Sequence, residues 1–262
     1  MTLASLNGSI GPAEETTIPV TDEGLLRGDG AFEVVRLYEG RPFALDDHLR
    51  RLAGSTGGLR LEVDLNAIRT EVEALLAAAP PETRNGALRI VLTRGGRRIA
   101  ILEPLEAFET ALSLATVTYA PTRILDNIKS LSYAANRLAS RVARELGADE
   151  ALLVTPHGRV LEAPTAAFFW ARDGELRTPP LSDHVLDSIT RRRLMAALDA
   201  REAETALADL DGAEEAFLAS TTREVQAVSS IDGHALPQAP GPRTREAAAA
   251  FEGVVAAELD GA

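Results

Sequence analysis

Residues 31–38 read Ala-Phe-Glu-Val-Val-Arg-Leu-Tyr, and residues 39–42 read Glu-Gly-Arg-Pro. The first run is rich in β-branched and aromatic residues and predicts a strand; the second is a turn. Behind the turn, Asp46 stands as a helix N-cap, with Leu45, Leu49 and Leu52 at helical spacing. This succession of strand, turn and helix sets the pattern for the rest of the chain. Asn66 to Ala79 predicts a second amphipathic helix, ended by Pro80-Pro81. Ala87 to Thr93 is a strand followed by the turn Arg94-Gly95-Gly96, and Leu112 to Tyr119 is another strand. After Tyr119-Ala120-Pro121-Thr122, Ala134 to Leu146 is helical, with Leu138, Val142 and Leu146 in register and Gly147 placed to end it. Two hairpins follow, Glu150–Val154 with Arg159–Glu162 and Ala166–Ala171 with Leu176–Thr178. Then come a helix over Ile189–Ala200, a strand over Ala216–Ala219 and an Ala-rich final helix. The expected class is α/β (α+β), with a small N-terminal domain over 1–118, a linker at 119–122 and a larger, β-rich C-terminal domain over 123–262.

The chain of 262 residues is long enough to bury a real core without staples, and it contains no cysteine. That excludes a disulfide scaffold, a zinc–thiolate or iron–sulfur site and a cysteine nucleophile. A net charge of −12 argues against nucleic acid as a partner. No apolar run is long enough to span a membrane, and Met1 to Ile10 lacks the order of a signal peptide. The expectation is a cytoplasmic protein with no metal site.

One count carries chemistry. Lysine and arginine together number 27, and Lys129 is the only lysine among them. An ammonium can lose its proton and form a Schiff base; a guanidinium cannot. Three other features suit a phosphate. Asp187-Ser188-Ile189-Thr190 opens a helix, whose free N–H groups attract anions. Ser220-Thr221-Thr222 ends a strand with successive hydroxyls, and Arg51 offers a forked guanidinium. Glu162 follows Val160-Leu161 and precedes Ala163-Pro164-Thr165-Ala166-Ala167, apolar company in which a carboxylate needs a cationic partner.

In this order the features resemble the fold-type IV (class IV) pyridoxal-phosphate aminotransferases. Arg27-Gly28-Asp29-Gly30-Ala31-Phe32-Glu33 is similar to that family's early Gly-Asp-Gly strand, and His48-Leu49-Arg50-Arg51-Leu52 to its phosphate-arginine helix. Lys129-Ser130-Leu131, Glu162, Ile189-Thr190 and Ser220-Thr221-Thr222-Arg223-Glu224-Val225 continue the match, which runs from about Thr21 to Gly233. The resemblance implies a homodimer with pyridoxal 5'-phosphate between the two domains. It implies that Lys129 holds the cofactor and moves the substrate proton, and that Glu162 keeps the pyridine nitrogen protonated. Arg51, Ile189, Thr190 and Thr221 would cradle the phosphate.

The substrate residues follow less closely. Phe32 stands where relatives often carry Tyr, and Thr165 keeps the only hydroxyl in a segment that is usually polar. Arg97-Arg98-Ile99-Ala100 lacks the His of the Arg-x-His pair of D-amino-acid aminotransferases. Arg27 and Val34 replace the Tyr and Gly favoured by branched-chain enzymes, while lyase members usually lack the Ile-Thr helix start present here. Arg27, Arg89 and, on the Phe32–Val34 face, Arg36 remain as candidates to bind a substrate carboxylate, with Tyr133 and Thr222 lining the pocket. The leading expectation is a transaminase passing an amino group from a D-amino acid such as D-alanine or D-glutamate to a 2-oxo acid such as 2-oxoglutarate or pyruvate. The alternatives are a branched-chain L-amino-acid transaminase, 4-amino-4-deoxychorismate lyase and a non-catalytic protein that binds the cofactor.

Overall fold

The computed structural model describes residues 2–105 and 107–261. The chain divides into two compact units, the first formed by 2–105 and Ile128–Tyr133 and the second by Ala107–Asn127 and Ala134–Asp260.

In the first unit β1 (Leu3–Leu6), β2 (Ser9–Pro12), β3 (Gly30–Tyr38), β4 (Arg41–Pro42), β5 (Ala87–Thr93) and β6 (Arg98–Glu103) make one antiparallel sheet, ordered β2-β1-β6-β5-β3-β4. Strand alternation decides its two faces. Ala31, Val35 and Leu37 of β3 join Leu88, Ile90 and Leu92 of β5 in a core closed by Leu49 and Leu52 of α2 (Leu45–Gly58) and Ile68, Val72 and Leu75 of α3 (Leu65–Ala77). Leu52 is fully enclosed, so truncating it to alanine should cost about 2–5 kcal/mol. Phe32, Val34, Arg36 and Tyr38 occupy the other face. The N-cap of α2 is Ala44, in a left-handed conformation, rather than Asp46. Asp46 instead pairs with Arg69 at 2.5 Å, an interaction open to a side chain one step inside the helix. Asp64 caps α3, accepting from the amides of Asn66 and Ala67.

In the second unit β7 (Ala111–Thr118), β8 (Glu150–Val154), β9 (Ala167–Arg172), β10 (Glu175–Thr178), β11 (Ala200–Glu202), β12 (Glu215–Ser220) and β13 (Glu224–Ile231) are ordered β11-β10-β9-β12-β13-β7-β8, with β14 (His234–Ala235) beside β13. β7 lies parallel to both β13 and β8. That pairing puts Ala111–Thr118 in the second unit, whereas the sequence reading placed it in the first domain. Its inward residues Leu112 and Leu114 share a core with Phe168, Trp170 and Leu218. Residues Ile128–Tyr133 go the other way and pack with the first unit.

Helix α4 (Ala134–Glu145) buries Ala139, Ser140 and Ala143, not the leucine stripe. Small residues let the helix lie close against Ala115, Ala151 and Leu153, which leaves Leu138 and Leu146 exposed. α5 (Ile189–Ala197) ends earlier than expected, because the chain extends at Leu198 and pairs as β11 with β10. α6 (Pro242–Asp260) closes the chain. No helix among the described residues is long and apolar enough to cross a membrane.

Candidate active site

Lys129 belongs by packing to the first unit. Its carbonyl accepts from the amide of Phe32 at 3.0 Å, its own amide donates to Ser55 Oγ at 3.1 Å, and Leu131 N donates to Gly30 O at 2.9 Å. The segment therefore runs as a short ribbon beside the start of β3. Two glycines admit it. Gly28 ends α1 (Glu23–Arg27) in the left-handed region at φ 66°. A Cβ on Gly30 would stand 2.2 Å from Leu92 O and 2.6 Å from a Leu131 methyl. The Gly-Asp-Gly motif is thus a steric requirement of bringing the lysine ribbon and β5 against one strand.

The lysine amine lies 4.6 Å from the centre of the Phe32 ring. Arg89 places its guanidinium carbon 5.9 Å from the same ring, and Tyr133 meets that ring edge-on at 5.4 Å. Val34 is directly opposite Arg89 in the β3–β5 register. The structure thus gathers Lys129, Phe32, Val34, Arg89 and Tyr133. Arg89 also holds Glu103 through two hydrogen bonds of 2.6 and 2.9 Å. Arg27 is different: it ends α1, is 70% exposed and pairs with Glu23 at 2.6 Å.

Arg51 and two residues the sequence reading left without roles form a buried cluster. Glu33 sits on the core face of β3, wholly enclosed. Arg51 donates to it from Nε and Nη2, each at 2.7 Å, and His48 Nδ1 approaches at 2.7 Å. Burial pushes the Glu33 carboxyl up, but the hydrogen bonds and charge of Arg51, aided by His48, prevail and hold it at about 2. His48 is pushed down, first by burial and further by the charges of Arg51 and Lys129, against the pull of Glu33. The signal was available. A carboxylate at a core position of a strand demands a cation, and the i, i+3 spacing of His48 and Arg51 puts both on one helix face.

In the second unit, Glu162 ends a short ribbon paired with β8: Leu161 N donates to Leu153 O and Leu153 N to Glu162 O, both at 2.9 Å. Its Oε1 accepts from Leu186 N at 3.1 Å. Burial and the Glu162 charge together push the Tyr119 hydroxyl up, which marks the carboxylate as a local source of negative potential. At the start of α5 Ser188 caps the helix, accepting from Arg191 N at 3.3 Å. Ile189 and Thr190 are buried, and Thr190 Oγ1 has no hydrogen-bond partner among the described residues. A buried hydroxyl beside free helix amides suits a phosphate oxygen, so this end of the chain fits the phosphate group of the expected cofactor. Thr221 and Thr222 lie in the turn from β12 to β13, whose geometry is fixed by Arg223 N donating to Ser220 Oγ at 3.2 Å. Arg223 itself donates to Gln226 Oε1 at 2.6 Å and to Glu150 Oε2 at 3.1 Å.

The sequence pattern of amino-transferase class IV matches residues 30–231. A D-alanine aminotransferase of Listeria monocytogenes is 31% identical over 254 residues, which cover 87% of each chain. A branched-chain amino acid aminotransferase from Thermobaculum terrenum, solved in its pyridoxal-phosphate form, superposes with a TM-score of 0.83 at 27% identity, over 98% of this chain and 94% of that one. A hypothetical aminotransferase from Mycobacterium tuberculosis, solved with α-ketoglutarate and the amino form of the cofactor, gives a TM-score of 0.88 at 25% identity, over 97% and 98% of the two chains. The chain belongs to the class IV aminotransferase family. It has the fold-type IV architecture and is a pyridoxal-phosphate-dependent aminotransferase.

Proposed function

We propose that this enzyme transfers the amino group of a D-amino acid, such as D-alanine or D-glutamate, to a 2-oxo acid such as 2-oxoglutarate or pyruvate. The observation that carries this reading is that the Lys129 amine and the Arg89 guanidinium share the Phe32 ring, at 4.6 and 5.9 Å. An amino acid presents its nitrogen and its α-carboxylate a few bonds apart, and an amine that can carry the cofactor and a guanidinium set around one aromatic ring suit those two groups. The similarity to D-alanine aminotransferases supports the D-series.

Pyridoxal phosphate, when bound, supplies an aldehyde carbon to receive the amino group and a ring that spreads the electrons released at the substrate Cα. Lys129 Nζ would hold the cofactor covalently, and its free amine would take the proton from the substrate Cα. Glu162 keeps the ring nitrogen protonated. Arg51, the amides of Ile189 and Thr190, and the hydroxyls of Thr190 and Thr221 would bind the phosphate. Phe32, Val34, Tyr133 and Thr222 shape the substrate pocket, while Arg89 and Arg27 take the α-carboxylate.

Arg27 acts across a homodimer in this proposal, as Arg27 of the partner subunit. Its neighbours support that: Leu25, Leu26 and Val20 are 58%, 60% and 77% exposed, a solvent-facing apolar group of the kind that covers itself against another copy. Light scattering should give a dimer, and a fully active monomer would contradict it. The substrate is tested by mixing the yellow holoenzyme with D-alanine, D-glutamate or L-leucine and following the visible cofactor band. Rapid bleaching by the D-amino acids alone, reversed by 2-oxoglutarate, is the expected result. Bleaching by L-leucine alone would favour the branched-chain reading, and release of pyruvate from aminodeoxychorismate without an acceptor would favour the lyase.

A further inference from the structure

Arg36, a sequence candidate for a substrate carboxylate, takes no part in the proposed function, and its surroundings are unusual. It shares the open face of β3 with Phe32 and Val34. Its Nε and Nη1 are both closed to solvent and both lack a hydrogen-bond partner among the described residues. The guanidinium lies 5.3 Å from the Tyr38 ring centre, which fixes its plane without satisfying an N–H. The nearest acid along the sheet row is Glu103, opposite Ala87, which in turn is opposite Arg36. Both Glu103 oxygens are already taken by Arg89. A half-buried guanidinium with two enclosed, unused donors carries a desolvation cost that an anion meeting it would offset.

The position of that anion follows from the register. Val34 faces Arg89 directly, so Arg36 is the diagonal neighbour of Arg89, about 7–8 Å away across the strand pair and within reach of two long side chains. Arg36 is also two residues further from Phe32 and Lys129 than Val34 is. A substrate whose α-carboxylate meets Arg89 would extend its side chain along this row.

We propose that Arg36 is a specificity-determining residue that binds the side-chain carboxylate of a dicarboxylic substrate of glutamate length. The inference rests on the reading of Arg89 as the α-carboxylate anchor, but makes no assumption about the substrate's handedness. Arg36 adds nothing to a substrate that ends in a methyl group, so its removal separates two substrate classes.

The test compares holoenzyme with Arg36 intact, Arg36→Gln and Arg36→Lys. Turnover of glutamate and alanine is measured in whichever enantiomer the wild type accepts, together with 2-oxoglutarate against pyruvate as acceptor. Calorimetric binding of glutarate against butyrate gives a readout independent of turnover. Arg36→Gln should lower kcat/KM for glutamate and 2-oxoglutarate about 10- to 100-fold and leave alanine and pyruvate within about twofold. Arg36→Lys should recover little, since a point charge cannot present the fork. Melting temperature should fall by little in either variant, because the Nε and Nη1 donors have no hydrogen-bond partner among the described residues to lose and only the contact with the Tyr38 ring is given up. An equal loss for alanine and glutamate, or no loss for either, would overturn the proposal. If the wild type turns over neither amino acid yet prefers glutarate to butyrate through Arg36, the functional reading fails and this inference stands. If glutarate and butyrate bind alike before and after Arg36→Gln, the inference fails.

Discussion

Arg51 grips Glu33 through two parallel hydrogen bonds of 2.7 Å, from Nε and Nη2, against a carboxylate that no solvent reaches. The pair joins the first helix after the early motif to the strand that carries Phe32. A guanidinium held by its Nε edge is fixed in plane, so whatever it offers to a phosphate is offered from a set direction. The cluster therefore orients a proposed cofactor ligand as well as tying α2 to β3.

Replacing Glu33 by Gln should be severe, because it leaves a buried guanidinium and a buried imidazole without their acid. Loss of one member of such a pair costs about 3–5 kcal/mol. Denaturant unfolding of the apoprotein would show it. A change below about 1 kcal/mol would mean the pair is worth no more than a surface bridge.

The same cluster sets the response to acid. Glu33 has its carboxyl lowered from 4.5 to about 2 in the fold, so its stabilisation is complete above the unfolded value and fades as pH falls from about 4.5 toward 2. His48 is lowered too, from 6.5, so the fold resists its protonation and loses that advantage as pH drops below about 6.5. Both signs agree. Melting temperature should decline in two stages on acidification, and His48→Gln should remove the earlier one. An unchanged profile in His48→Gln would contradict the assignment.

Thr190 offers a sharper separation of folding from binding. Its hydroxyl is buried without a partner among the described residues, so Thr190→Val removes a group those residues do not satisfy. The apoprotein should melt at the same temperature or slightly higher. Affinity for pyridoxal phosphate should nonetheless fall about 2- to 10-fold, the worth of one hydrogen bond. Unaltered cofactor affinity would remove Thr190 from the phosphate site.

Arg89→Ala and Arg27→Ala should slow the half-reaction with amino acids about 10- to 150-fold while leaving cofactor occupancy unchanged. Arg51→Ala should do the reverse, shedding cofactor. The Arg89 variant also frees Glu103, so Arg89→Ala with Glu103→Gln isolates the loss of the guanidinium from the gain of an unpaired carboxylate. Wild-type half-reaction rates in the Arg27 and Arg89 variants would make both ordinary strand and helix arginines.

What could be read in advance tracked local pattern. β5 and β8 were legible to the residue, because each is a short apolar run bounded by turn residues. β13 was not, since Gln226 and Ser229 interrupt it with side chains that donate to the carbonyls of Glu109 and Leu112. β6 escaped because charged residues end it at Arg98 and Glu103, where they pair with Glu71 and Arg89. The parallel pairing of β7 with β13 is non-local, and no spacing in the sequence encodes it. At the site, Lys129 stood out through the absence of any other lysine. For the Glu33–His48–Arg51 cluster, the need for a cation and the shared helix face of His48 and Arg51 were legible, but that this helix face meets Glu33 is a tertiary fact.

The central claim is that Lys129 is the residue that carries the cofactor. Borohydride reduction of the holoenzyme, proteolysis and mass mapping tests it most directly, since reduction makes the link permanent. The pyridoxyl mass should appear once per chain, on the peptide containing Lys129, and Lys129→Ala should show neither that mass nor turnover while unfolding as the wild type does. A pyridoxyl group on any other site, or turnover retained in Lys129→Ala, would contradict the account.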